Sequence, residues 1–186
     1  SRRKKVEMDH SHYPKLVEKA QASGVTFFST PFDEPSADFL DELGVPFFKI
    51  GSGELTHFSL LRHIARKGKP MIVSTGMANY QMIDNAATVI KEAGNDQLII
   101  AHCVSAYPAA VESANVRAVP ALRDRLGVLV GFSDHTISSS ASLAAIALGA
   151  CYIEKHFTLS RSLPEGDNDI SIEPHEFKAL VRGVRE

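Results

Sequence analysis

The sequence has no tryptophan, no G-x-G-x-x-G run and only two cysteines, Cys103 and Cys151. Cysteines so far apart, with no C-x-x-C pair, exclude a disulfide framework and a zinc ribbon. The expectation is two reduced, buried thiols in a cytoplasmic protein. No apolar run approaches the ~20 residues that cross a bilayer, and no signal-peptide pattern opens the chain. Charge of one sign is also missing. The 20 Lys and Arg against 22 Asp and Glu leave a net −2, which offers nothing to nucleic acid or to an anionic membrane. The one basic cluster, SRRKK at residues 1–5, precedes polar VEMDHSHY and reads as a solvated lead-in to a helix.

What is present is a repeated unit. The 186 residues, 44% of them hydrophobic, suffice for one domain with a sizeable core. Six short apolar runs recur: GVTFFST (24–30), VPFFKIGS (45–52), PMIVSTG (70–76), QLIIAHCVS (97–105), GVLVGFSD (127–134) and CYIEKHFT (151–158). Near-continuous apolar character over so few residues is that of strands buried on both faces of a parallel sheet. Between them lie segments with apolar spacings of three and four, such as YQMIDNAATVIKEAG. Gly24, Gly44, Gly68, Gly94, Gly127 and Gly149 close these segments, at the helix-ending position where positive φ is needed.

Such an array builds either an open doubly wound sheet or an eight-stranded barrel. The open sheet commonly carries a G-x-G-x-x-G turn. Here every run, not one or two, ends in polar residues: Ser29-Thr30, Lys49 to Glu54, Ser74-Thr75, His102 to Tyr107, Ser133 to His135 and Glu154 to His156. In a barrel all strand ends face one site. The expected fold is therefore α/β, a partial (β/α)8 TIM barrel of about six consecutive βα units with parallel strands. A complete barrel needs eight strands and roughly 250 residues. Residues 1–186 are thus expected to form a single partial barrel domain, its last six strands, with the first two units lying before Ser1.

His135 and His156 lie 21 positions apart, too far for one helix face. A βα unit between them brings both to neighbouring strand ends, about 4.8 Å apart, where both imidazoles reach one divalent ion. Two imidazoles with open positions suit Mn²⁺, Fe²⁺, Co²⁺ or Zn²⁺ rather than Ca²⁺. Glu54, Asp134 and Glu154 are further oxygen candidates, and His102 reads as a hydrogen-bonded strand-end residue. In FFKIGSGE, Lys49 and the turn Gly51-Ser52-Gly53 make an anion cradle, joined by hydroxyls at Thr30, Ser74, Thr75 and Ser133. Strand-ending and helix-capping roles are the alternative for those hydroxyls. A Schiff base on Lys49 or Lys155 is an alternative chemistry.

The stretches FFSTPFDEPSADFLDELGVPFFKIGSGELTHFSLLRHIARKGKPMIVSTGMA, AHCVSAYPA, VGFSDHT, ALGACYIEKHFTL and SIEPHEFKALV resemble, in order, the sialic acid synthase (N-acetylneuraminate synthase) family. The resemblance implies a (β/α)8 barrel followed by an antifreeze-protein-like domain, the latter absent from this sequence, in a domain-swapped homodimer. It implies condensation of phosphoenolpyruvate with N-acetylmannosamine, or its 6-phosphate, to a sialic acid and phosphate. The cofactor it implies is a divalent metal, Mn²⁺ foremost, with Mg²⁺ or Co²⁺ as substitutes. Related members make legionaminic or pseudaminic acid, and a truncated chain would be inactive. Carried over by position, His135 and His156 match the metal ligands, and Glu54 matches the acidic catalytic residue near the metal. Thr30, Lys49, Ser52, Ser74 and Ser133 match residues that hold phosphoenolpyruvate. Tyr107 and Asp167 match sugar contacts, and Ser105 stands where some relatives have asparagine. Two departures stand out. The strands that carry the family's glutamate and its K-x-Q lysine are missing, and Asn168 replaces a usual histidine.

Overall fold

The computed structural model describes residues 8–164 and 166–186; the basic SRRKK lead-in lies outside them. Five parallel strands, β1 (Phe48–Ile50), β2 (Met71–Ser74), β3 (Leu98–Cys103), β4 (Leu129–Asp134) and β5 (Ile153–Lys155), pair strictly in chain order. Helices α1 (Tyr13–Ala22) and α2 (Glu34–Glu42) precede β1. Between successive strands lie α3 (Phe58–Ala65), α4 (Tyr80–Glu92), α5 (Ala118–Leu126) and α6 (Ser140–Ala147), and α7 (Pro174–Arg185) closes the order. Local chemistry sets their ends. Asp33 and Asn79 cap α2 and α4 by accepting from the backbone N–H groups of Ser36 and Met82, and Glu173 and Glu176 form a reciprocal capping box on α7. All six helix-closing glycines expected from sequence have φ between 65° and 94°, where a Cβ would be strained.

Alternate residues of the strands face opposite sides. Phe48, Ile50, Met71, Val73, Ile100, Val130 and Phe132 point to the helical side and are essentially fully buried, together with Leu60, Leu61 and Ile64 of α3 and Ile90 of α4. The other side is concave. Lys49 on β1 and Glu154 on β5, at opposite edges of the sheet, approach to 3.5 Å across it. Only a strongly curled sheet allows that contact, so the architecture is a half-barrel. Tyr152 lies so flat on β4 that a Cβ on Gly131 would sit 2.0 Å from its ring, which is why residue 131 has no side chain.

The sequence reading needs two corrections here. The first apolar run, residues 24–30, is not a strand. Its end lies beside β1, with Phe28 against Phe47 at 4.5 Å and Thr30 next to Gly51. No backbone hydrogen bond from residues 26–30 joins it to the ladder among the described residues. Among the described residues β1 is paired on one side alone, to β2, and Val25 and Phe28 are exposed. Apolar content alone does not make a strand without a ladder partner. The described residues therefore hold five strands, not six. Cys103 is buried as expected, but Cys151 is exposed, because it precedes β5 just after the α6 turn rather than lying within the strand.

Candidate active site

The C-terminal ends of the strands deliver polar groups to the concave side in two clusters. In the first, the Lys49 ammonium donates to Ser74 Oγ at 2.6 Å and to the Ile50 carbonyl at 3.2 Å, and faces Glu154. Glu154 in turn accepts from Ser133 Oγ at 2.8 Å. The cluster runs β2–β1–β5–β4, so residues 49, 74, 133 and 154 meet although 105 positions separate the first from the last. Beside it, Ser52 Oγ accepts from the Gly76 N–H at 2.9 Å. A Cβ at Gly76 would stand 2.1 Å from Ser105 Oγ and 2.7 Å from Ser52 Oγ. Because Gly76 has no side chain, both hydroxyls can close on the β2 turn. Ser52 Oγ also contacts the Cys103 thiol, which links the β1 and β3 ends.

The second cluster is aromatic. The rings of His135 and His156 lie 5.2 Å apart, and Tyr107 contacts both, at 4.2 and 5.7 Å. His135 Nδ1 donates to the Val104 carbonyl at 2.7 Å, which fixes the tautomer and leaves Nε2 with its lone pair, the usual support for a metal-ligating histidine. Asp167 approaches His156 Nδ1 at 3.7 Å. Burial, and then the neighbouring His135, hold the His156 imidazole below its ordinary value, so it is a neutral donor. Burial also pushes His135 down, but contacts with Cys103 Sγ and the Val104 carbonyl outweigh it and raise it. Two rings bound through one nitrogen each at about 2.1 Å place their centres on the order of 5 Å apart, so the pair fits two ligands of one divalent ion. Among the described residues no third His, Cys, Asp or Glu completes a cluster with them.

The remaining sequence candidates fall outside these clusters or at their edges. Glu54 lies on a short 3-10 turn, Ser52–Glu54, and contacts His57 Nδ1 at 3.2 Å. Thr30 sits beside Gly51. Asp134, weighed as a ligand oxygen, is on the opposite face, bound to Thr136 N and Ser142 Oγ on the helical side. Neighbours on a strand point oppositely, so Asp134 is excluded from the cluster that holds His135. Lys155 is likewise turned away and spent on three acceptors, which removes it as a Schiff-base lysine. His102 donates to the Ala114 carbonyl at 2.9 Å, as expected of a satisfied histidine. Asn168 accepts from Thr158 Oγ1 at 2.7 Å and braces the loop that carries Asp167. Sequence reasoning missed Gly76 and gave Cys103 no role, although the strand-end position of both was legible.

Parallel strands whose C-terminal ends collect a lysine, hydroxyls and a histidine pair on one side are the arrangement in which barrel folds place their sites. The chain matches the NeuB family over residues 1–186 and belongs to it. It is 42% identical over 184 residues to the N,N'-diacetyllegionaminic acid synthase of Campylobacter jejuni, covering 98% of this chain and 55% of that one. Among solved structures it is similar to the spore coat polysaccharide biosynthesis protein SpsE of Bacillus subtilis, with a TM-score of 0.94, 39% identity, and 96% of this chain and 51% of that one covered. It is also similar to the N-acetylneuraminic acid synthetase of Leptospira borgpetersenii, solved with citrate, with a TM-score of 0.93, 36% identity, and 96% and 62% covered. The chain spans about half the length of the curated relatives it matches.

Proposed function

We propose that this chain carries the donor and metal sites of a nonulosonic acid synthase, which condenses phosphoenolpyruvate with N-acetylmannosamine or its 6-phosphate. The observation that carries the reading is a lysine–hydroxyl cluster and an imidazole pair at one concave mouth. The remaining strands of an eight-stranded barrel and an antifreeze-like domain belong, in this reading, to the complete homodimeric protein.

Lys49 and the Ser52, Ser74 and Ser133 hydroxyls, with Thr30 at the edge, bind and orient the anionic donor, so a bimolecular encounter becomes local. Glu154 keeps the Lys49 ammonium aimed into the mouth and orders the Ser133 hydroxyl. His135 and His156 would hold Mn²⁺, which when bound supplies a Lewis acid for the sugar aldehyde. Tyr107 and Asp167 flank the histidines on the side where a sugar would sit. Glu54, as general acid–base, handles the proton of the attacking water. C3 of the enol bonds to the aldehyde carbon, water adds its oxygen to C2, and phosphate leaves by C2–O cleavage. One water is consumed for each phosphate released.

A second reading keeps this chemistry and changes the sugar to a 2,4-diacetamido hexose. It is supported by the C. jejuni relative and by Asn168, whose amide holds the loop next to the sugar side. Phosphate release by the full-length protein with Mn²⁺, phosphoenolpyruvate and each of the three sugars separates the two. Release with N-acetylmannosamine or its phosphate supports the first, and release with the diacetamido sugar alone replaces it by the second. No release with any of them overturns both.

A further inference from the structure

Each histidine of the pair follows, by one residue, a member of a buried ion pair on the other side of the sheet. Asp134 precedes His135 and Lys155 precedes His156. The two are direct partners in the β4–β5 ladder, their side chains 0% and 1% exposed, with Nζ 3.1 Å from Oδ2. An ammonium has three N–H groups, and Lys155 has three acceptors: Asp134 Oδ2 and the carbonyls of Thr136 and Ser138. Asp134 is equally occupied, taking the Thr136 N–H on Oδ1 and the Ser142 hydroxyl on Oδ2. The pair thus ties together the end of β4, the loop that follows His135, the first turn of α6 and the end of β5.

Burying two charges is a poor way to gain stability, since apolar replacements of similar size do as well. What such a pair adds is a fixed register and direction. We propose that Asp134 and Lys155 are positioning residues for the histidine pair: with their contacts they lock the two strand ends so that His135 and His156 face one point. The inference rests on the metal reading above only for its ligand, not for its geometry.

The test compares the wild-type full-length protein with Asp134→Asn/Lys155→Met and Ser142→Ala. The double variant removes both charges and leaves an acceptor for Thr136 N–H, whereas Ser142→Ala removes one hydrogen bond and keeps the charges. Three quantities are measured: melting temperature, Mn²⁺ affinity by calorimetry, and the ring ¹⁵N signals of the metal-free protein. The double variant is expected to melt near the wild type yet bind Mn²⁺ about 10–100-fold more weakly, as outer-sphere changes do, with displaced or broadened His135 and His156 signals. Ser142→Ala is expected to lose roughly two- to tenfold in affinity, the worth of one hydrogen bond. Folded variants whose ring signals superimpose on the wild type's overturn the proposal, whatever the metal does. Wild-type protein that ignores Mn²⁺ while its ring signals still respond to the variants sinks the metal reading and leaves the positioning role standing.

Discussion

Lys49 in β1 and Lys155 at the end of β5 look alike in the sequence, but they lie on opposite faces of one sheet and differ in kind. Lys155 is sealed on the helical side, its three N–H groups all directed at protein oxygens around Asp134. Lys49 lies on the concave side, held by Ser74 and facing Glu154, whose side chain is 36% exposed. The first cation is part of the structure that holds the histidines. The second is paired with a carboxylate that is partly in water, in the cluster proposed to take the anionic donor. The difference follows from the two-residue period of a strand: Lys49 shares a face with Ser74, Ser133 and Glu154, whereas Lys155 shares one with Asp134 and Phe132.

The largest effect expected is at the histidine pair. His135→Ala removes one of the two imidazoles and the bond to Val104. Mn²⁺-dependent phosphate release in the full-length protein is expected to fall to the level of metal-free enzyme treated with a chelator, and activity that persists above that level breaks the metal assignment.

The two lysines come next and should fail in different currencies. Lys155→Met leaves Asp134 buried and unpaired, a change that costs about 3–5 kcal/mol and should show as a large drop in melting temperature. Lys49→Met leaves Glu154 partly in water, so its stability loss should be much smaller, while the KM for phosphoenolpyruvate rises steeply. Equal melting temperatures for the two variants would erase the distinction between a structural and a functional lysine. Gly76→Ala belongs on the functional side as well. The backbone there needs no positive φ, but the new methyl group collides with Ser105 and Ser52. Overpacking of this kind costs roughly 1–3 kcal/mol, and the weakened donor binding should be recovered in part by Gly76→Ala/Ser105→Gly, which clears the nearest collision.

The same period decides how much was legible beforehand. Apolar runs closed by polar residues, with glycine after each helix, identified the parallel βα array, and the spacing of His135 and His156 became sensible once a βα unit was placed between them. Residues 24–30 were misread because their composition matches a strand, while strandhood depends on a ladder partner that composition does not encode. Asp134 could have been separated from the metal candidates by parity alone, since it neighbours His135. Lys49 meeting Glu154 was out of reach, because that contact depends on the curl of the sheet and joins its two edges. Gly76 was hidden for a similar reason: its freedom matters only against side chains from two other strand ends.

The smallest effect expected concerns His102, which reads in sequence as a hydrogen-bonded strand-end residue and lies behind the site, stacked near Phe132 at 5.7 Å. Burial is the main cause that holds its imidazole below the ordinary 6.5, despite the hydrogen bonds to the carbonyls of Ala114 and Asn115. Between the depressed folded value and about 6.5, the unfolded chain binds the proton and the folded chain does not, so stability rises with pH. Acidification through that window should therefore lower the melting temperature. His102→Gln keeps an N–H group for the Ala114 carbonyl but cannot titrate, so its melting temperature should fall less steeply over the same window. Parallel curves for the two proteins would mean that His102 takes no part in the acid sensitivity of the fold.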